Sequence, residues 1–204
     1  GDFGGCRTVE SGWRPDAARS WAEPGFSQSD AHPVTCVSWD DARGYVAWLS
    51  QRTGERYRLP SEAEWEFLAR ERAALGAFDA TAANACEAVN LADRDAAARY
   101  PELDVAACAD GFVHTAPVAR SGSRAFSDLL GNVFEWTQDC WQASLEGTPT
   151  DGSARSAGAC EERVLRGGSW FTAPAQVRAT FRNRFGTDYR SNTFGFRVVR
   201  ELGE

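Results

Sequence analysis

The sequence predicts an α+β domain. Two capped segments with helical spacing lie in its first third, and short strand-like segments are scattered through the stretch that follows. Helices gathered apart from strands, rather than alternating with them, is the α+β pattern. The 204 residues and 43% hydrophobic side chains suffice for one sizeable core. With no internal repeat or linker visible, residues 1–204 are read as a single domain.

Residues 1–35 are rich in Gly, Pro and Trp, follow no sustained period and read as loop. "CVSW" (36–39) reads as a short strand running into a helix. Ser38 is its N-cap and Asp41 stands at the third helical position. Ala42, Tyr45, Val46 and Leu49 recur at helical spacing, and Gly54 is the stop. "LPSEAEWEFLARE" opens a second helix. Ser61 and Glu64 form its capping pair, and Trp65, Leu68 and Ala69 share one face. After about residue 78 the helical signal fades into loops and short strands such as "RVLRGGSW" and "FGFRVVR".

Composition excludes several functions. A net charge of -7 argues against general nucleic-acid binding, which needs a basic face. No apolar run approaches the ~18 residues of a membrane span. The chain begins at Gly1 without Met, so its native N-terminus is expected to lie elsewhere. The six cysteines at 6, 36, 86, 108, 140 and 160 contain no C-x-x-C pair, and only His32 and His114 could join them, which disfavours zinc. Disulfides are the better reading, and they imply a periplasmic or secreted protein. About 15 connectivities are open to six cysteines. Pairing neighbours (6–36, 86–108, 140–160) closes irregular loops; six reduced, buried thiols are the alternative. There is no G-x-S-x-G and no phosphate-binding glycine loop, and nothing specifies a catalytic triad.

Five stretches occur in a telling order: "HPVTCVSWDDARGYVAWLSQRTGERYRLPSEAEWEFLAR", "DGFVHTAPV", "LLGNVFEWTQDCW", "RVLRGGSW" and "GFRVVR". Together they resemble the formylglycine-generating enzyme (sulfatase-modifying factor) family over about residues 31–200. The resemblance implies a C-type-lectin-like fold, poor in regular structure and often stabilised by calcium. Its relatives include formylglycine generators, iron-dependent sulfoxide synthases, inactive paralogues and variable proteins of diversity-generating retroelements, so fold does not fix function. The iron-dependent relatives take metal-binding histidines from an attached helical domain, which makes iron chemistry within this chain alone improbable. Family members begin with a further strand–helix portion carrying an "MGS"-like motif. That portion is expected to reside on a separate chain or to have been removed by processing, and the intact reading frame is expected to reveal it or a fused domain.

Carried over by the resemblance, two calcium sites are expected. The first uses the side chains of Asn90 and Asp110 and the carbonyls of Leu91 and Phe112. The second uses the side chains of Asp128 and Glu135 and the carbonyls of Gly131 and Val133. Calcium wants six to eight hard oxygens and tolerates irregular backbone. By spacing alone, Asp110 and Asp128 are better read as loop and turn formers, with Asn132 and Glu135 satisfying a buried turn.

The stretch "RATFRNR" (178–184) alternates Arg178, Thr180, Arg182 and Arg184 with Ala179, Phe181 and Asn183, so an extended chain gathers the charges on one face. One reading is a packed strand whose arginines pair with the excess acids. The other is a recognition groove. Trp170, Phe171, Phe181, Phe185 and Tyr189 supply its rings, and Arg178, Arg182 and Arg184 its forks for carboxylate- or sulfate-like groups. Its partner would be a protein or a small anionic ligand. In retroelement-diversified relatives the comparable surface is Phe171, Thr172, Ala173, Phe181, Phe185, Tyr189, Ser191 and Asn192. In formylglycine generators two cysteines of the "GGSW" segment bind copper(I) and the substrate thiol. Here those places fall on Thr172 and Val177, neither of which can replace a soft thiolate. The expected function is therefore a non-catalytic, calcium-stabilised binding protein. The alternatives are an oxidoreductase of the same family completed by a missing segment, or a retroelement variable protein.

Overall fold

The computed structural model describes residues 4–74, 79–119, 126–156 and 160–202. Both expected helices form where their caps place them. Helix α1 spans Trp39–Thr53. The Ser38 hydroxyl accepts the Asp41 N–H at 3.1 Å, and the Asp41 carboxylate accepts the Ser38 N–H at 2.9 Å. Two otherwise orphaned donors are satisfied reciprocally. The helix ends at Gly54, whose N–H returns to the Ser50 carbonyl at 2.9 Å. Trp39, Ala42 and Val46 are buried, but Tyr45 is exposed. It lies at the rim of the apolar stripe, against Phe196 at 5.4 Å. Helix α2 spans Glu62–Ala74 behind a Ser61–Glu64 pair of the same kind, with bonds of 3.0 and 2.8 Å, and buries Trp65 and Ala69.

The strands are short. β1 (Cys6–Arg7) and β2 (Pro15–Asp16) pair antiparallel within the segment read as loop, whose first three residues lie outside those described. β3 (Tyr57–Arg58) pairs with β8 (Val199–Arg200). The main sheet has the order β6-β5-β4-β7: β4 is Phe134–Cys140, β5 Glu162–Arg166, β6 Arg182–Gly186 and β7 Phe194–Phe196, with β4 and β7 parallel and the other pairs antiparallel. The fold is α+β, as expected. "CVSW" is not a strand, because Cys36 takes a left-handed φ of 59°. Two short helices were not foreseen, α3 (Ala85–Ala88) and α4 (Arg94–Arg99).

Three disulfides join neighbours along the chain: Cys6–Cys36, Cys86–Cys108 and Cys140–Cys160. The largest apolar cluster packs Trp39, Val46 and Leu59 against Trp136, Leu165 and Phe194 of the sheet. Arg166 of β5 is fully buried and ties sheet to helix, its guanidinium 2.5 Å from Glu66 of α2 and 3.5 Å from Glu62. It also donates to the carbonyls of Ala179 at 2.6 Å and Phe181 at 2.8 Å. The chain bends around that guanidinium, so the extended run expected from Arg178 begins only at Arg182.

Candidate functional site

β5 ends in the Gly167–Gly168 turn, with φ of 98° and 82°. A Cβ on Gly167 would meet the Leu129 carbonyl oxygen at 2.7 Å, so only glycine fits. The turn launches residues 169–177, the segment expected to carry the chemistry. The Thr172 hydroxyl accepts the Ser169 N–H at 2.9 Å and lies 3.0 Å from the Ser169 hydroxyl. Val177 is buried in a second apolar cluster with Leu91 and the Cys86–Cys108 pair. A Cβ on Gly168 would meet Val177 at 3.2 Å and Thr172 at 3.5 Å, so the two side chains flank one point. The fold brings these positions together without placing sulfur at either.

Beside this segment opens a cleft of about 430 Å³. Phe134, Phe181, Phe185, Tyr189 and Phe194 line it on the sheet side, and Trp13 and Phe171 line it as well. The polar lining is Ser169, Thr172, Gln176, Asn183, Ser191 and Thr193, and no charged side chain is among the lining residues. Burial raises the Tyr189 hydroxyl pKa, against a smaller opposing effect of Arg7, and keeps the phenol neutral.

Of the expected ligand contacts, Phe171, Thr172, Phe181, Phe185 and Tyr189 meet in this cleft, and Trp170, Arg178, Arg182 and Arg184 do not line it. Trp170 is 1% exposed and donates its Nε1–H to the Asn192 carbonyl, so it is core. The alternation in β6 gives Asn183 and Phe185 to the cleft and turns Arg182 and Arg184 to the other face. There both guanidinium groups stack on Trp141, at 4.4 and 4.9 Å, and pair with Glu62 and Glu162. Arg178 closes its own turn by donating to the Ala175 carbonyl at 2.7 Å. The arginine-lined groove is not assembled, because the residues sharing a face with the charges are not those facing the cleft.

Asn90 is buried. Its amide donates to the His114 carbonyl at 3.0 Å, while Oδ1 has no hydrogen-bond partner among the described residues. Leu91 is buried next to it, and the Asp110 Oδ1 accepts the Phe112 N–H at 2.8 Å. Asp93, Asp95 and Asp110 bring carboxylate oxygens within 4.8 Å of one another. Sequence reasoning missed Asp93 and Asp95, although "ADRDA" carries a helix-capping signal: Asp93 accepts the N–H groups of Asp95 and Ala96 at 2.9 and 3.1 Å.

At the second expected set, Asp128 takes a φ of 56° and accepts the Ala119 N–H at 2.6 Å. Asp128, Val133 and Glu135 line one pocket with Arg197, beside Gly131 in the chain. Glu135 is 4% exposed. Both its oxygens accept from Arg197 at 2.5 Å, and Oε2 also accepts the Trp65 indole N–H at 2.7 Å. Burial lowers the Arg197 pKa, but Glu135 outweighs it and holds the group above its ordinary value.

One polar chain lies behind the cleft. The Tyr100 hydroxyl is 2.6 Å from Glu10 Oε1 and 2.9 Å from His114 Nε2. The His114 ring stacks on Phe26 at 4.3 Å, and burial lowers its pKa, with Glu10 opposing.

The sulfatase-modifying factor enzyme 1-like domain model matches residues 6–202. The chain belongs to this family. It is 31% identical over 204 residues to the bovine (Bos taurus) inactive C-alpha-formylglycine-generating enzyme 2, covering 94% of this chain and 59% of that protein. It is equally 31% identical to the formylglycine-generating enzyme of Streptomyces coelicolor, over 89% of this chain and 58% of that one. This sulfatase-modifying-factor domain thus spans about three fifths of the length of these curated relatives. Among solved structures, PvdO from Pseudomonas aeruginosa superposes with a TM-score of 0.73 at 35% identity, over 87% of this chain and 65% of that one. A relative named inactive and one named as an enzyme match at the same identity, so the choice between them rests on the site.

Proposed function

We propose that this domain is a binding member of its family that does not generate formylglycine. One observation carries the reading: where copper-binding thiols would stand, the Thr172 hydroxyl is bonded to Ser169 and Val177 is packed in the core. A hydroxyl is a hard ligand and an isopropyl group is none. The uncharged cleft beside them is then a place to hold a ligand rather than to oxidise one. Incubation of the purified protein with copper(I), oxygen and a Cys-x-Pro-x-Arg peptide is expected to yield no aldehyde by mass spectrometry; an aldehyde product overturns the reading.

Calcium stabilisation is part of the proposal at the first oxygen set. Its support is the buried Asn90 Oδ1, an oxygen facing no donor, beside the aspartate cluster. Asn90, Asp110 and the carbonyls of Leu91 and Phe112 would hold the ion, which crosslinks loops and supplies no reaction step. At the second set Arg197 already balances Glu135, and any calcium there shares that carboxylate with a guanidinium. Calcium is expected to raise the melting temperature, stabilising the fold by about 2.7 kcal/mol at a hundredfold excess over Kd. Asp110→Ala should abolish most of that rise. A melting curve indifferent to chelator, with no calcium by elemental analysis, excludes the ion. Three disulfides support residence in an oxidising compartment, periplasmic or extracellular. Among the described residues no helix is long and apolar enough to cross a membrane.

A further inference from the structure

One wall of the cleft comes from far away in sequence. Trp13, on the loop between β1 and β2, has a φ of 61°. A bulky side chain enters that region only where its surroundings force it, and such residues gather at ligand clamps. The forcing contacts are explicit. The Trp13 N–H donates to the Thr8 carbonyl at 2.9 Å, and Thr8 and Ser11 exchange N–H-to-hydroxyl bonds of 3.1 Å. Glu10 in the same turn is latched by the Tyr100 hydroxyl, and Cys6 at its base is bonded to Cys36. The turn so held places the Trp13 indole edge-on to Phe171, with ring centroids 5.5 Å apart, while leaving it 38% exposed.

We propose that Trp13 is a ligand-contacting, specificity-determining residue of the cleft, and that the ligand is a neutral molecule bearing a flat aromatic ring with hydrogen-bond acceptors. This rests on the binding reading above. No lining residue is charged; Arg7 and Arg178 lie outside the lining, stacked on Tyr189 at 4.1 Å and on Phe181 at 5.5 Å, so an anion held between the rings would lose its hydration without a direct counter-ion in the lining. The rings available for stacking outnumber the free hydroxyls, because Ser169 is bonded to Thr172 and Ser191 to Thr193. A sugar, which needs dense hydroxyl partners, is poorly served. The donors left over are the Asn183 amide nitrogen, the Gln176 amide and the Tyr189 hydroxyl, none of which bonds to the protein among the described residues; they answer acceptors on a ring. A volume of about 430 Å³ suits a small two-ring molecule.

The test is equilibrium fluorescence binding of N-phenyl-1-naphthylamine, a neutral probe made of a naphthalene and a phenyl ring, against its anionic analogue 8-anilinonaphthalene-1-sulfonate. The neutral probe is expected to bind at least about tenfold tighter, since no residue of the lining offers the sulfonate a counter-ion. Trp13→Ala should weaken it about tenfold, and Trp13→Phe, which restores a ring, should stay within about threefold of the parent. Trp13→Gly relieves the backbone while still lacking the ring, so it repeats the alanine result should Trp13→Ala fail to fold. Trp21→Ala is the control: that indole is 62% exposed in a separate groove with Tyr45 and Phe196. No binding of the neutral probe, equal binding of the sulfonate, parent-like affinity in both ringless variants, or loss through Trp21→Ala each overturns the proposal. None of these readouts involves aldehyde, which alone decides the earlier reading.

Discussion

Full reduction of the three disulfides is expected to unfold the protein at 25 °C. The bonds join cysteines 30, 22 and 20 residues apart. Chain-entropy arguments give loops of that size about 3–4 kcal/mol each. Together they reach about 10 kcal/mol, comparable to the entire 5–15 kcal/mol stability of an ordinary domain. The architecture leaves little in reserve. Among the described residues the buried apolar side chains fall into three clusters, and most strands are two to five residues long. Cys86 and Cys108 sit inside the second cluster with Val177, so opening that bridge loosens the packing around Val177. Near-UV circular dichroism should collapse as the intact mass rises by about 6 Da, the signature of three two-electron reductions. A native near-UV spectrum at the fully reduced mass would show that packing alone suffices.

What the sequence made legible is what local chemistry decides. Ser38 and Ser61 mark their helices because a hydroxyl three residues ahead of a carboxylate closes a capping box whatever surrounds it. Loop irregularity favoured the neighbour pairing of the cysteines while leaving other connectivities open, and the family resemblance pointed to Thr172 and Val177 as the places without a thiol. Tertiary context decided the rest. Period two gathers the arginines of β6 on one face, but only Trp141 and Glu62, across the fold, determine that this face is not the cleft. Helices of four and six residues give no usable period, so α3 and α4 were invisible although Asp93 caps the latter. Trp13 joins the cleft from a segment read as loop, and nothing nearby in sequence announces its contact with Phe171.

Glu135→Ala should be the most damaging of the single substitutions. The carboxylate appeared in the sequence as a calcium ligand, yet in the fold it serves two donors, the part-buried Arg197 guanidinium and the buried Trp65 indole N–H. Alanine strands both. Breaking a buried pair by removing one partner costs about 3–5 kcal/mol, and the lower end is expected here, because Arg197 is 23% exposed and keeps its bond to the Ser127 carbonyl at 3.0 Å. For a chain of this length each kcal/mol lowers the melting temperature by about 2–4 °C, so a drop of roughly 10 °C is expected. Arg197→Met combined with Glu135→Leu removes both charges and should recover much of the loss, leaving the indole N–H as the residual defect. The same melts separate the two roles of Glu135. If Arg197 is its only cation, the deficit is identical in calcium and in chelator. If calcium shares the carboxylate, the deficit widens as calcium rises, since the parent alone gains from mass action. A variant melting within about 2 °C of the parent would mean that Arg197 finds another partner or water, and that the ion pair does not hold β4 against the segment following β7.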